Sequence, residues 1–231
     1  MVHRKTRVYD DASLVPGREQ VNAKRLVPLS GVPAVALIFA SQIAAGSSPK
    51  ADAPIDELVS FYGKHGSGQT VSGVLLSLGV LFFLIFSATV ASVLRDAPGE
   101  SAGSSALCLG GGVLLSVGLA IFAGLTFAIG DAGDQLDPSA LQTLHVLSQE
   151  LFYPVTVGIS AFLLGAGTAV LKTAALPKWL GWLAVFLAVV AAIPSHVLGG
   201  ALDHIGFFAF GGLGVWTLIV GVLLAIRTEA P

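Results

Sequence analysis

The stretch SSALCLGGGVLLSVGLAIFAGLTFAI, residues 104–129, decides the fold class because it has no charged side chain over 26 residues. As an α-helix it extends about 39 Å at 1.5 Å per residue. The hydrocarbon core of a bilayer is about 30 Å thick and is crossed by about 20 apolar residues. The stretch therefore predicts a transmembrane helix with some tilt.

Small side chains recur at every fourth position of this segment. They are Cys108, Gly112, Ser116, Ala120 and Gly124. Residues four apart share one side of a helix, and small residues let helices approach closely in lipid, where packing rather than hydrophobicity drives association. We therefore expect the central helix of a bundle, packed through this stripe. The same spacing at Ala161, Gly165 and Ala169 predicts its partner helix.

The composition of the whole chain supports the same class. Of its 231 residues, 54% are hydrophobic and only 11% are charged, whereas soluble domains have about 25% charged residues. A single cysteine excludes an internal disulfide, and the basic N-terminal tail is too short and too mixed in charge to indicate a nucleic-acid partner. The sequence thus predicts an all-α integral membrane bundle that lies in a lipid bilayer and needs no cofactor.

Six apolar segments predict the spans of this bundle. We place them at about residues 29–45, 71–94, 104–129, 147–171, 178–197 and 205–226. The transmembrane domain is then 29–227, between a basic tail (1–28) and a short tail (228–231). Residues 46–70 are interpreted as a polar loop that carries a short amphipathic helix, Ile55–Tyr62, on the membrane surface.

Several residues predict where helices begin, bend or end. Ser30 is a candidate cap of the first span. Asp137 followed by proline is typical of a helix start, and the helix that begins there should run to Leu171 with a kink at Pro154. Pro194 should disturb the last turn of the fifth span.

The distribution of basic residues predicts the orientation. With the N-terminus in the cytoplasm, the inner side holds the six basic residues of the tail together with Arg95, Lys172, Lys178 and Arg227, and the outer side holds Lys50 and Lys64. Ten basic residues inside against two outside agree with the positive-inside rule. Both termini are therefore expected in the cytoplasm.

The outer side in this topology collects most of the histidines. The candidate metal ligands there are His65, His145, His196, His204 and Asp203. Imidazole and carboxylate groups suit Zn²⁺, and three such ligands with an open position support hydrolysis. The spacing contains no HExxH motif, and polar residues also collect wherever a membrane protein meets water. A surface that responds to pH through its histidines is a further interpretation.

The spans themselves offer little chemistry. No Lys, Arg, Asp or Glu lies deep in a span, which argues against a proton-coupled pump. The hydroxyl groups of the spans are expected to bond to carbonyl groups of their own helices. They belong to Ser77, Ser87, Ser116, Thr126 and Ser160. Cys108 has no neighbouring base, so we expect an inert thiol.

Three segments resemble a known family: DAPIDELVSFYGKHG (52–66), DPSALQTLHVLSQELF (137–152) and LPKWLGWLAVFLAVV (176–190). The family consists of small bacterial, actinobacterial-type multi-pass membrane proteins and is catalogued as a domain of unknown function. The resemblance covers about residues 30–226. It implies a bundle of six or seven helices in the plasma membrane and supplies no catalytic residues.

Three functions fit these observations. The first is a non-enzymatic bundle with a structural, accessory or partner-binding role, as a homo-oligomer or beside another membrane protein. The second is a transporter or channel for a neutral or apolar solute, indicated by the glycine-rich third and sixth spans and by Pro154 and Pro194. The third is an outer-face hydrolase that uses a metal held by the histidines and Asp203. The sequence favours the first, because buried charge is absent and packing residues abound.

Overall fold

The computed structural model describes residues 26–100, 102–132, 135–193 and 205–227, and within these ranges the chain is helical without strands. A 3₁₀ turn, Val27–Ser30, leads into the first helix. The seven α-helices are α1 (Gly31–Ala45), α2 (Ile55–Arg95), α3 (Ala102–Ala132), α4 (Pro138–Glu150), α5 (Phe152–Thr173), α6 (Lys178–Ala192) and α7 (Ile205–Arg227). The all-helical prediction is confirmed for these residues.

Within the described ranges, five helical stretches are long and apolar enough to cross a membrane. They are Val27–Ala45, Ile55–Arg95, Ala102–Ala132, Pro138–Thr173 and Gly206–Arg227. The fifth predicted span, 178–197, corresponds to α6, which is apolar but has 15 residues and so extends only about 22 Å. Its last residue, Ala192, is followed by an extended Ile193, because the residue before a proline is driven out of the helical region. Pro194 itself lies outside the described residues.

α2 differs from the prediction because it is one helix of 41 residues, or about 61 Å. The expected polar loop ends at Pro54, and no separate surface helix Ile55–Tyr62 exists. Two glycines of the expected loop lie inside α2 and allow close packing. A side-chain carbon at Gly68 would lie 2.5 Å from the carbonyl oxygen of Ala44, and one at Gly66 would lie 3.2 Å from the carbonyl oxygen of Gly130.

The start of α4 lies where the sequence predicts it, and the predicted single helix to Leu171 is instead two helices, α4 and α5, separated at Leu151. The Asp137 carboxylate accepts a hydrogen bond of 2.9 Å from the backbone N–H of Ser139, which confirms the predicted cap. The helix is interrupted at Leu151, one turn before Pro154, because the proline has no N–H for the carbonyl four residues earlier. Ser30, in contrast, makes no side-chain cap, so that prediction is wrong.

α3 is the central helix and makes its most extensive contacts with α2 and α5. Its interface with α5 depends on glycine. A side-chain carbon at Gly111 would overlap the backbone nitrogen of Phe162, and one at Gly165 would overlap the backbone nitrogen of Cys108. Gly158 of α5 meets the backbone of Leu115 in the same way, at 2.6 Å. The two backbones therefore touch along three successive turns.

The four-residue stripe packs only along its first half. Cys108, Gly112 and Ser116 are buried, and a side-chain carbon at Gly112 would lie 2.6 Å from the Cβ of Ser87. Ala120 and Gly124 are exposed, so their assignment to the packing face is corrected. The reason is geometric: positions four apart drift by about 40° around a helix of 3.6 residues per turn. On α5, Gly165 and Ala169 are buried, and Ala161 is half-buried.

The middle of the bundle is filled by aromatic rings. Phe162 packs edge-on against Phe83 and Trp216, with ring centroids 5.4 and 5.8 Å apart. Trp216 is fully buried, and its indole N–H donates a hydrogen bond of 3.1 Å to the carbonyl oxygen of Leu180. This bond connects α7 to α6 and satisfies the one polar group of the ring.

One end of the bundle, here called the arginine end, consists of residues 95–100, 172–178 and 227. The Lys172 ammonium donates a hydrogen bond of 3.1 Å to the Ser104 hydroxyl, and Arg227 donates to the carbonyl oxygen of Ala175. These bonds connect α5 to α3 and α7 to the segment before α6. The opposite end, consisting of residues 46–70, 130–132 and 135–151, is called the histidine end.

The contacts of α3 predict opposite effects for two neighbouring glycines. Gly111→Ala should lower the free energy of unfolding by about 1–3 kcal/mol, because the new methyl group meets the α5 backbone. Gly110→Ala should not, because no atom outside its own helix lies within 4 Å of that position and alanine favours helix. Thermal unfolding in detergent gives the melting temperatures of Gly111→Ala and Gly110→Ala for comparison. Equal melting temperatures would contradict the α3–α5 interface.

Candidate functional site at the histidine end

A second, smaller apolar core lies at the histidine end. Its buried members are Ala53, Leu58, Tyr62, Ile129 and Leu141. They come from the segment before α2, from the first turns of α2, from the end of α3 and from α4. This core explains why α2 continues so far beyond its apolar part: the early turns of α2 bury their own apolar face against α4.

His145 of α4 is the most enclosed polar side chain of this end, with 0% of its surface exposed. Its Nδ1 atom lies 2.7 Å from the Tyr62 hydroxyl, and its Nε2 atom lies 3.2 Å from the carbonyl oxygen of Lys50. A carbonyl oxygen only accepts, so Nε2 carries the proton and donates it. Nδ1 then accepts from Tyr62. The arrangement fits one neutral tautomer with both ring nitrogens bonded.

Tyr62 is held in the donor role by its surroundings. It lies before the apolar part of α2 (residues 71–94), where burial raises the pKa of its phenol above the ordinary value of 10.0. A hydrogen bond with the Ser48 side chain acts in the opposite direction and is the smaller effect. The phenol therefore keeps its proton at neutral pH. Tyr62 joins α2 to α4 through Nδ1 of His145, and Nε2 of His145 joins α4 to segment 46–54 through the Lys50 carbonyl.

His65 lies in a different setting, on the exposed side of α2. Its Nδ1 atom donates a hydrogen bond of 2.9 Å to the carbonyl oxygen of Phe61, one turn earlier. The imidazole also stacks on the Phe61 ring, with centroids 4.5 Å apart. An open groove beside it carries side chains of both signs, among them Lys50, Asp52 and Glu57.

The predicted metal set is only partly covered by the structure. His196, Asp203 and His204 lie outside the described residues. Among the residues that are described, no group of three His, Cys, Asp or Glu side chains comes close enough together to hold a metal ion. The sequence analysis also missed the actual partner of His145. Tyr62 is 83 positions away, and the only signal for it was its place on the apolar face of residues 55–62.

Hydroxyl groups in the spans behave as predicted. Those of Ser77, Ser87, Ser116, Thr126 and Ser160 each donate to a carbonyl oxygen three or four residues earlier in the same helix. Such bonds leave no free donor for a ligand. Thr217 of α7 is an exception: its buried hydroxyl has no hydrogen-bond partner among the described residues.

Comparison of the chain with protein-family models, with curated proteins and with solved structures finds no match.

The bond between Tyr62 and His145 predicts coupled effects on the stability of this end. Tyr62→Phe and His145→Phe should each cost about 1–3 kcal/mol, because each leaves a buried polar partner unsatisfied. The double variant should cost less than the sum of the two. Hydrogen exchange of α4 amides and thermal unfolding measure these costs. His65→Phe is the control and should change little. Strictly additive costs would mean that the two side chains do not interact.

The cap of α4 predicts a pH dependence. Hydrogen bonds from the Ser139 side chain and then from its backbone lower the pKa of Asp137 below its ordinary value of 3.8. The ionised carboxylate therefore stabilises α4 above that value, and this stabilisation is lost as pH falls through the lowered pKa. Asn also caps helices but has no carboxylate to titrate. In Asp137→Asn, the protection of the first α4 amides from hydrogen exchange should therefore no longer decrease as the pH is lowered. If the amide protection of Asp137→Asn still decreased at low pH as in the natural chain, the pH dependence would belong to another group.

Proposed function

We propose that the chain is a non-enzymatic helical bundle of a bacterial plasma membrane, with both termini in the cytoplasm and a structural, accessory or partner-binding role. The observation that carries this proposal is the bonding of His145. It is the best-placed candidate for catalysis among the described residues, yet it is sealed from solvent and both of its ring nitrogens bond to structural partners. A general base must come within hydrogen-bond reach of a substrate, and a metal ligand needs a nitrogen free to coordinate.

The surfaces of the helices support the same role. Large apolar side chains point outward along the bundle, for example Leu81 of α2, Val117 of α3 and Phe186 of α6. Such surfaces suit lipid, a second copy of the chain or another membrane protein. The resemblance to the actinobacterial-type family is in keeping with a plasma-membrane bundle. It too remains a proposal.

The metal-dependent hydrolase is the less favoured alternative. It requires the Nδ1 atom of His145 to give up the Tyr62 hydroxyl before it binds an ion, and no described acidic side chain or second imidazole lies close enough to complete the site. His65 has its Nδ1 atom bonded within its own helix and offers only its Nε2 atom. The transporter alternative requires a path for a solute, and the span hydroxyl groups that would line such a path mostly bond within their helices.

Metal content and solute flux separate these three functions. Purified protein, prepared without chelator and dialysed, should contain far less than one equivalent of Zn, Fe, Mn or Ni by mass spectrometry. Proteoliposomes should release entrapped glycerol and neutral amino acids no faster than empty liposomes. One equivalent of metal that is lost in His145→Asn and kept in Gly124→Ala would establish the hydrolase site instead. Flux above the empty control would establish the transporter.

A further inference from the structure

The open groove at the histidine end lies between segment 46–54 and the first turns of α2. Its volume is about 730 Å³, which is within the range of about 300–1,000 Å³ that small-molecule sites have. Its charged lining residues are Lys50 and Asp52 on the wall formed by the segment, and Glu57 and Lys64 on the wall formed by α2. The groove thus combines the size of a binding site with charges of both signs.

Hydrogen bonds hold the segment in place against the helices. The side-chain amide of Gln69 donates to the carbonyl oxygen of Ala45 over 2.9 Å, just before the segment begins. The Lys50 carbonyl oxygen accepts from His145 of α4 at 3.2 Å and from the backbone N–H of Ala53 at 3.0 Å. Ala53 is itself buried in the small apolar core. Both walls are therefore preformed, so a ligand does not have to order the segment when it binds.

The charges of the groove are separated by sign along its length. The segment runs antiparallel to α2: a side-chain carbon at Gly46 would lie 3.7 Å from the His65 ring, whereas Asp52 lies two residues before Pro54, from which α2 starts. Glu57 and Lys64 are seven residues, or two turns, apart on one face of α2, about 10 Å along its axis. Asp52 and Glu57 therefore make one end of the groove negative, and Lys64 makes the other end positive.

These charged side chains do not neutralise one another. All four are exposed, and none of them forms a side-chain hydrogen bond or an ion pair within the described part of the chain. A simple cation that is attracted to one end of the groove is repelled by the other end, and the same holds for a simple anion. A ligand that carries both charges at the matching spacing is attracted at both ends.

The distance of the groove from the membrane distinguishes a soluble ligand from a lipid. Lys64 and Glu57 lie 7 and 14 residues before residue 71, where the apolar part of α2 begins, or about 10 and 21 Å along the helix axis. The headgroup layer of a bilayer is only about 5–8 Å thick on each side. Most of the groove therefore lies in water beyond the headgroups, so a zwitterionic lipid does not reach both of its ends.

The middle of the groove offers an apolar surface. Phe61 lies between Glu57 and Lys64 on the same face of α2, and its half-buried ring stacks on His65 with centroids 4.5 Å apart. An extended peptide covers about 3.3–3.6 Å per residue, so three residues cover about 10–11 Å. A tripeptide therefore matches the spacing of the two charged ends and places its central side chain over the rings.

We propose that the groove between segment 46–54 and α2 binds a short peptide with free termini, about three residues long. The ammonium group of the peptide lies against Asp52 and Glu57, its carboxylate lies against Lys64, and its central side chain packs on Phe61 and His65. This inference goes beyond a structural role of the bundle, because it gives the water-exposed end a specific soluble ligand.

Calorimetric titration of the full chain in nanodiscs tests this site, with trialanine as the probe and empty nanodiscs as the blank. Trialanine should bind saturably with one molecule per chain. Glu57→Gln and Lys64→Gln should each weaken its affinity by about two- to fivefold, as expected for one exposed ion pair. The matched controls are Asp56→Asn, in the same turn as Glu57, and Lys178→Gln at the arginine end. Neither residue lines the groove, and neither change should alter the affinity.

Capped peptides assign each end of the ligand to its partner. N-acetyl-trialanine lacks the ammonium group, so it should bind more weakly than trialanine and should lose nothing further in Glu57→Gln. Trialanine amide lacks the carboxylate and should behave in the same way toward Lys64→Gln. Absence of saturable binding, or equal affinities of the capped and uncapped peptides, would overturn the proposal. It would also be overturned if Glu57→Gln weakened the acetylated peptide as much as trialanine.

Peptide length tests the spacing of the two ends. Dialanine is too short to reach from Glu57 to Lys64 and should bind about as weakly as the capped peptides. Alanine should bind more weakly still. Tighter binding of alanine than of trialanine would assign the groove to a smaller zwitterion and reject the peptide. Equal affinities of all three lengths would reject the match between the ligand and the separation of the charges.

Discussion

Contact between the backbones of α3 and α5 is the interaction on which the bundle depends. In lipid, apolar surfaces gain little by leaving their surroundings, so helices associate through close packing. Gly111, Gly158 and Gly165 each bring one backbone against the other. Van der Waals attraction falls steeply with distance, so a single added carbon at such a point separates many atom pairs at once. The order of the remaining helices follows from this pair, since α2 packs on α3 and α6 packs on α5.

Much of the fold could be predicted from the sequence because its signals are local. The absence of charge over 26 residues predicts a long apolar helix, and Asp137 with the following proline predicts a start that the structure confirms. The predictions failed where packing overrides local preference. Residues 63–70 contain three glycines and polar side chains, yet they continue α2, since Gly66 and Gly68 fit against neighbouring backbones. The prediction for Ala120 and Gly124 was wrong because residues spaced four apart shift progressively around a helix of 3.6 residues per turn.

The polar sites were harder to predict because they depend on distant pairs. Nothing near His145 in the sequence indicates Tyr62, whose position relative to it is set by the packing of α2 against α4. Thr217 looks like the other hydroxyl residues of the spans, and only the three-dimensional arrangement distinguishes it. Its hydroxyl has no hydrogen-bond partner among the residues that the structure describes, whereas Ser116 and Thr126 bond to their own helices. A sequence pattern shows which residues are polar, but not which of their polar groups have hydrogen-bond partners.

The length of α2 has a mechanical consequence. Leu58 and Arg95 belong to one helix without a proline, and they are about 55 Å apart along its axis. A displacement of the small core around Leu58 therefore acts on the same helix that ends at Arg95. α2 thus connects the small core around Leu58 and the arginine end through one uninterrupted helix, with no loop between them to absorb a displacement.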